Sequence, residues 1–227
     1  TYSWNVWSLS LDGNTYCVKI AWDLDDNGKQ EFLFGESWEG CTLKAYEWDG
    51  TTWSLVWTLD MDYGVSSLDV SDLDEDGVVE IFAGSYKDEA GNYLGNITIV
   101  RPDGTIEATY GYGSNSIYQI VCGQKVGSLK QDLDNDGHME AILGCYHLVV
   151  LVEALGADTY NFTAFTNSSD YTIYAVELTW DLDNNGKAEF IYAEAYAGCI
   201  MHVCEWDGTT DNGYVEVWYY NFGTTAE

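Results

Sequence analysis

Residues 71–84 read SDLDEDGVVEIFAG. Asp72, Asp74 and Asp76 alternate, Gly77 follows, and Glu80 comes three residues after the glycine. A run of this kind fits a carboxylate active site, an EF-hand or a structural loop. It occurs four times. The other copies are DLDDNGKQE from Asp23, DLDNDGHME from Asp132 and DLDNNGKAE from Asp181. Their starts lie 49, 60 and 49 residues apart. Each is followed by a short apolar run: FLFG, IFAG, AILG or FIYA.

Self-similarity at 40–50 residues marks a repeat architecture. Each unit reads as four strands. A β-rich run such as YCVKIAW or YAVELTW precedes the acidic loop, and the apolar run follows it. A third run ends at a turn dipeptide, Asp49-Gly50, Asp103-Gly104 or Asp207-Gly208, and a fourth closes the unit. Asp-Gly between β-rich runs is a strong hairpin signal. No useful helical period is present. The expectation is an all-β fold: a small β-propeller of about four four-stranded antiparallel blades. A β-sandwich would not need four equivalent loops. The units span roughly 11–60, 61–112, 113–168 and 169–227 of one domain covering 1–227. The third carries about ten extra residues around SIYQIVCGQK. Residues 1–10 read as an extra outer strand if YVEVWYYNF closes the fourth unit. The alternatives are that residues 1–10 complete the fourth blade with YVEVWYYNF as a cover, or that the third-unit insertion builds a small fifth blade. A surplus strand suits pairing with another chain.

Numbered from its first aspartate, the loop places side-chain oxygens at positions 1, 3, 5 and 9. These are Asp23, Asp25, Asn27 and Glu31; Asp72, Asp74, Asp76 and Glu80; Asp132, Asp134, Asp136 and Glu140; Asp181, Asp183, Asn185 and Glu189. Position 6 is always glycine, which permits a sharp turn. Position 7 (Lys29, Val78, His138, Lys187) can add a backbone carbonyl. An all-oxygen site is hard and suits Ca²⁺. An EF-hand is excluded, since position 12 holds Phe34, Ala83, Leu143 or Tyr192 instead of an acid. Four copies of one catalytic pair would be redundant. About four Ca²⁺ ions are expected.

The loops, with the glycine four residues after the glutamate (Gly35, Gly84, Gly144), resemble the FG-GAP/VCBS repeat family. The fourth copy departs, with Ala193. The resemblance implies a calcium-bearing propeller of the integrin α-subunit or lectin kind. It implies loops that join the innermost strand of each blade to the next.

Acids outnumber bases 38 to 8, for a net charge of −30. That argues against nucleic acid, which needs a basic surface. No apolar run approaches the roughly 18 residues of a membrane span, so membrane insertion is not expected. Six cysteines (Cys17, Cys41, Cys122, Cys145, Cys199, Cys204) form no CxxC pair and read as disulfide candidates. Asn96, Asn161 and Asn167 open glycosylation sequons. Both point to an extracellular chain, secreted or at the cell surface.

The expected function is non-enzymatic: a structural or adhesive protein, with self-assembly into filaments by strand addition as one form of it, whose partner is itself or an extracellular protein or glycan. A lectin-like alternative rests on Trp48, Trp53 and Trp206 near hairpin turns. A propeller hydrolase or lyase is less supported. His138, His147 and His202 sit in no catalytic motif, and no catalytic residue is assigned.

Overall fold

The computed structural model describes residues 8, 13–37, 40–88, 90–127, 129–165, 172–195, 199–208 and 213–223. The segment read as an extra strand, 1–10, lies outside these residues apart from Ser8, as does Asn167. Every regular element described is a β-strand. No helix is long and apolar enough to cross a membrane among the described residues.

Four antiparallel four-stranded sheets form, one per acidic loop. Sheet 1 contains β1 (Asn14–Trp22), β2 (Glu31–Ser37), β3 (Thr42–Trp48) and β4 (Trp53–Asp60) in that order. Sheet 2 contains β5 (Gly64–Ser71), β6 (Glu80–Lys87), β7 (Asn96–Val100) and β8 (Ile106–Gly111). In sheet 3, β9 (Ile117–Cys122) is followed by a two-stranded ribbon, β10 (Lys125–Val126) and β11 (Leu129–Lys130). The sheet then continues with β12 (Glu140–Cys145), β13 (Val149–Gly156) and β14 (Thr159–Phe165). Sheet 4 contains β15 (Thr172–Leu178), β16 (Glu189–Ala195), β17 (Ile200–Trp206) and β18 (Tyr214–Asn221).

The extra residues of the third unit are therefore the ribbon, not a further strand of the sheet. The outer position of sheet 4 is filled by β18, which pairs with β17 from Ile200↔Asn221 to Trp206↔Tyr214.

Successive sheets pack face to face in chain order. β5 lies on β1 and β2, β9 on β5 and β6, and β15 on β9 and β12. Three apolar clusters fill these interfaces, around Leu33 and Ile81, around Phe82 and Leu143, and around Ile142 and Phe190. The first strands β1, β5, β9 and β15 all line one cavity of about 1150 Å³. No comparable interface joins sheet 4 to sheet 1 among the described residues, so no closed ring is shown by them.

The motif glycines explain how closely the sheets approach. A Cβ on Gly35 would lie 2.5 Å from Val65, and one on Gly84 would lie 2.6 Å from Ile117. A Cβ on Gly144 would lie 3.0 Å from the carbonyl oxygen of Ile173. Each glycine thus sits where the first strand of the next sheet crosses. Ala193 is the fourth member, on the sheet that no later sheet covers.

Candidate metal centres

Each acidic loop links the first strand of its sheet to the second. The backbone is nearly the same in all four. Position 4 is left-handed: Asp26 (φ 56°), Glu75 (57°), Asn135 (60°) and Asn184 (61°). Position 6 is left-handed too: Gly28 (87°), Gly77 (93°), Gly137 (102°) and Gly186 (95°). Only glycine takes the latter angles without steric cost.

Local hydrogen bonds hold the turn. The position 6 amide donates to the position 1 aspartate at 2.9, 3.2, 2.9 and 2.8 Å in copies one to four. The position 5 amide donates to the position 3 aspartate at 3.2, 3.1, 3.1 and 3.0 Å. The position 7 amide donates to the position 5 side chain. The glutamate at position 9 uses Oε2 to accept from the position 2 amide: Leu24, Leu73, Leu133 and Leu182 at 2.6, 3.1, 2.7 and 2.8 Å.

One ligand oxygen from each acid at positions 1, 3, 5 and 9 falls within 4.8 Å of the others. The structure brings together Asp72, Asp74, Asp76 and Glu80, and likewise Asp132, Asp134, Asp136 and Glu140. It groups Asp23, Asp25 and Glu31, and Asp181, Asp183 and Glu189. Asn27 and Asn185 donate to the aspartates beside them at 3.0 and 3.2 Å.

Several of these oxygens are buried without a hydrogen-bond partner: Asp23 Oδ1, Asp132 Oδ1, and Oε1 of Glu31, Glu140 and Glu189. A buried polar atom of this kind is costly unless something satisfies it. Burial, reinforced by neighbouring aspartates, pushes the Glu80 and Glu140 carboxyls up to about 9. Burial also raises Glu31 and Glu189. The donor set, hard oxygens aimed at one point with orphaned lone pairs, fits a hard divalent cation.

A pH dependence follows. A carboxyl raised from 4.5 to about 9 by folding favours the native state while protonated. That contribution is complete below 4.5 and is lost as pH rises through about 9. Cation-stripped protein is expected to melt at falling temperature as pH is raised across this window, read by scanning calorimetry. A melting temperature that climbs instead contradicts the assignment.

The copies differ at their rims. Lys29 pairs with Glu47 in the first, and Lys187 pairs with Glu205 at 2.5 Å in the fourth. Glu75 of the second receives Lys125 at 2.6 Å and Lys130, so the ribbon folds onto the preceding loop. The β13–β14 hairpin of sheet 3 also reaches back. The Asp158 amide donates to Asp74 at 2.6 Å.

The disulfide expectation is corrected: none of the six cysteines is paired. Cys122 stands opposite Ala141, whereas Cys145 stands opposite Ile117. Four residues of strand, about 13 Å, separate them, beyond the ~7 Å a disulfide spans between Cα atoms. Cys199 immediately precedes β17 and Cys204 lies within it, five residues further along the extended chain. Cys17 on β1 and Cys41 before β3 have β2 between them. Burial pushes the Cys17 and Cys204 thiols up to about 12, and raises Cys122 and Cys145 strongly, so these thiols are unreactive.

Asn161 is exposed on β14, and Asn96 is half-buried on β7. The hairpin tryptophans pack within their own sheets. Trp48 lies 5.3 Å from Trp53, and Trp206 lies 5.0 Å from Tyr214. His202 is buried, stacked on Tyr192 at 4.4 Å between Glu194 and Glu216.

Motif reasoning missed the charges of the central cavity. Lys19 pairs with Asp69 there, and Glu177 is raised by burial and then by Asp69. Lys19, Asp69, Val121 and Glu177 share one register position, opposite Leu33, Phe82, Ile142 and Ile191. The signal available in sequence is a single charge at the same place of the first strand in three of the four units.

No known protein family and no curated relative matches the chain by sequence. In fold it is similar to a rhamnogalacturonan lyase, PL11, of Bacillus licheniformis. Identity is 14%, the TM-score is 0.55, and the match covers 89% of this chain and 48% of that one. It is also similar to the exotype rhamnogalacturonan lyase YesX, at 15% identity and TM-score 0.50, over 89% of this chain and 47% of that one. The chain thus spans about half the length of these solved structures.

Proposed function

We propose that this chain is a calcium-stabilised, non-enzymatic structural module of propeller type, its four sheets acting as blades around the central cavity. The orphaned, buried carboxylate oxygens carry this assignment, because they recur at position 1 of two loops and position 9 of three, on one shared backbone. Ca²⁺ would be held by Asp23, Asp25, Asn27 and Glu31 and by the equivalent residues of the other three loops. The bound ion supplies positive charge that lets the acids stay ionised in a buried corner. Four ions would cut the formal charge from −30 to about −22. The FG-GAP/VCBS resemblance agrees with this role. The proposed setting is extracellular, where free calcium is abundant enough to fill modest sites.

Calorimetric titration of stripped protein with CaCl₂ is expected to give about four ions per chain, and one fewer in Glu140→Gln. Absence of any binding heat at millimolar calcium, with no change in melting, would remove the proposal.

Carbohydrate binding is a second proposal, favoured by a chain of tyrosines across all four sheets. Tyr16, Tyr86, Tyr118 and Tyr174 follow one another at 6.2, 5.6 and 4.7 Å. They lie at the ends of the strands remote from the loops, and Tyr16 and Tyr174 are about half exposed. Tyrosine faces of this kind can stack on sugar rings. A glycan array that stays blank would set this second role aside.

A further inference from the structure

Four-residue rows across each sheet show which face each sheet offers to its successor. In sheet 1 the row is Lys19, Leu33, Ala45 and Trp57. In sheet 2 it is Asp69, Phe82, Ile99 and Ala108. Their apolar members are buried or half-buried against the next sheet, and Trp57 Nε1 donates to the Pro102 carbonyl at 2.8 Å. The equivalent row of sheet 4 is Glu177, Ile191, Val203 and Trp218. Even the bulge repeats: Val56 in β4 and Val217 in β18 are the extra residues. Yet Trp218 is 49% exposed and its stacked neighbour Tyr220 is 51% exposed.

The face that receives a preceding sheet tells the same story from the other end. Its row is Val70, Ile81, Val100 and Ile106 in sheet 2, and Leu178, Phe190, Cys204 and Glu216 in sheet 4. Val70 and Leu178 are buried there at 8% and 3%. Sheet 1 carries Ile20, Phe32, Tyr46 and Leu55 in the same row. Ile20 is 63% exposed and Leu55 is 52% exposed, with Val18 and Trp22 exposed beside Ile20.

We infer that a second copy of this chain covers these two faces, head to tail, with sheet 4 of one copy seated on sheet 1 of the next. The occupant follows from the three internal interfaces. They already show a face of the sheet 4 type fitting a face of the sheet 1 type, and among the described residues of one chain these two faces form no such interface. By the same equivalence the Trp218 indole reaches the Asp49–Gly50 turn of the next copy, as Trp57 reaches the Pro102 turn. A heterologous contact of this kind closes as a ring or continues as a filament. Two copies in a ring give eight sheets and leave no face open. Ala193 stands where Gly35, Gly84 and Gly144 allow close approach, so this joint is wider and weaker than the internal ones, and assembly is reversible. Repulsion between two highly acidic copies is screened by salt, so assembly strengthens as salt is raised. The inference uses the radial order of sheets proposed above but not the calcium loops. Calcium binding and chain mass therefore fail separately.

The test is light scattering on the intact chain, with calcium, over a concentration series. The expected mass is twice the 25.4 kDa of one chain, or a higher multiple. Ile20→Asp and Trp218→Asp each spoil one face, and each is expected to raise the dissociation constant at least tenfold while melting like the parent. Both sites are exposed in the single chain, so folding is spared. If Trp218→Asp melts early, Tyr220→Asp on the same face replaces it. An equimolar mixture of the two variants is expected to regain the two-chain mass, because one of its two joints is intact. A parent that stays at one chain mass at all concentrations overturns the inference. So does a variant that still assembles, or a mixture that fails to recover.

Discussion

Excess EGTA is expected to lower the melting temperature of this protein by at least about 15 °C. The estimate follows from mass action. A site held at a thousandfold excess of calcium over its dissociation constant contributes about 4 kcal/mol. A chain of this size shifts by about 2–4 °C per kcal/mol. Two well-filled loops therefore suffice. Asp72, Asp74, Asp76 and Glu80, and their counterparts from Asp132 to Glu140, are the candidates, since each set brings four carboxylates together. The other two loops bring three. Without a cation the acids of each loop repel, and Glu80 and Glu140 stay protonated with their carboxyls raised to about 9. Differential scanning calorimetry with and without chelator reads the effect directly. Superimposable melting curves would leave the loops as simple Asp/Gly turns, with no ion to explain their orphaned oxygens.

The second large effect concerns a residue far from any ligand. Gly84→Ala is expected to cost about 1–3 kcal/mol, the usual range for overpacking a tight core. The new methyl would sit 2.6 Å from Ile117 Cγ2 and 3.0 Å from Ile120 Cδ1, both on β9 and both buried. Those side chains are held by the Phe82 and Leu143 cluster and have little room to move. Ala193→Gly is the matched control in the sheet that no later sheet covers. It relieves no clash and is expected to cost under about 1 kcal/mol, the ordinary penalty of glycine in a strand. Urea unfolding of both variants measures the contrast. Equal losses would mean that the glycine serves the strand itself and not the interface between sheets.

These two experiments separate what could be read from the chain and what could not. The loop was legible because its contacts are local. Asp72 accepts from Gly77, Asp74 from Asp76, and Glu80 from Leu73, all within a nine-residue span. The same span fixes which oxygens remain for an ion. The four-stranded units were legible for a similar reason, since their hairpins join neighbouring runs through turns such as Asp103-Gly104. The cysteines were not legible. An even count suggested pairing, but strand register decides which thiols can meet, and here it keeps Cys122 four residues from Cys145 along the sheet.

Alternation of apolar residues likewise shows that a strand has an apolar face, but not what covers it. Ile20 and Leu178 occupy equivalent positions and look alike in sequence. One is 63% exposed and the other 3%. The difference lies in the preceding sheet, which sheet 4 has and which sheet 1 lacks among the described residues. The charged row of Lys19, Asp69 and Glu177 gains its meaning in the same way, only when three strands from distant units face one cavity. Sequence by itself determined the loops, the candidate ligand oxygens and the count of sheets, because hydrogen bonds a few residues apart hold them. Tertiary structure alone decided which faces are buried and which stay open, because that depends on packing between units about 50 residues apart, where no local bond reports on the neighbour.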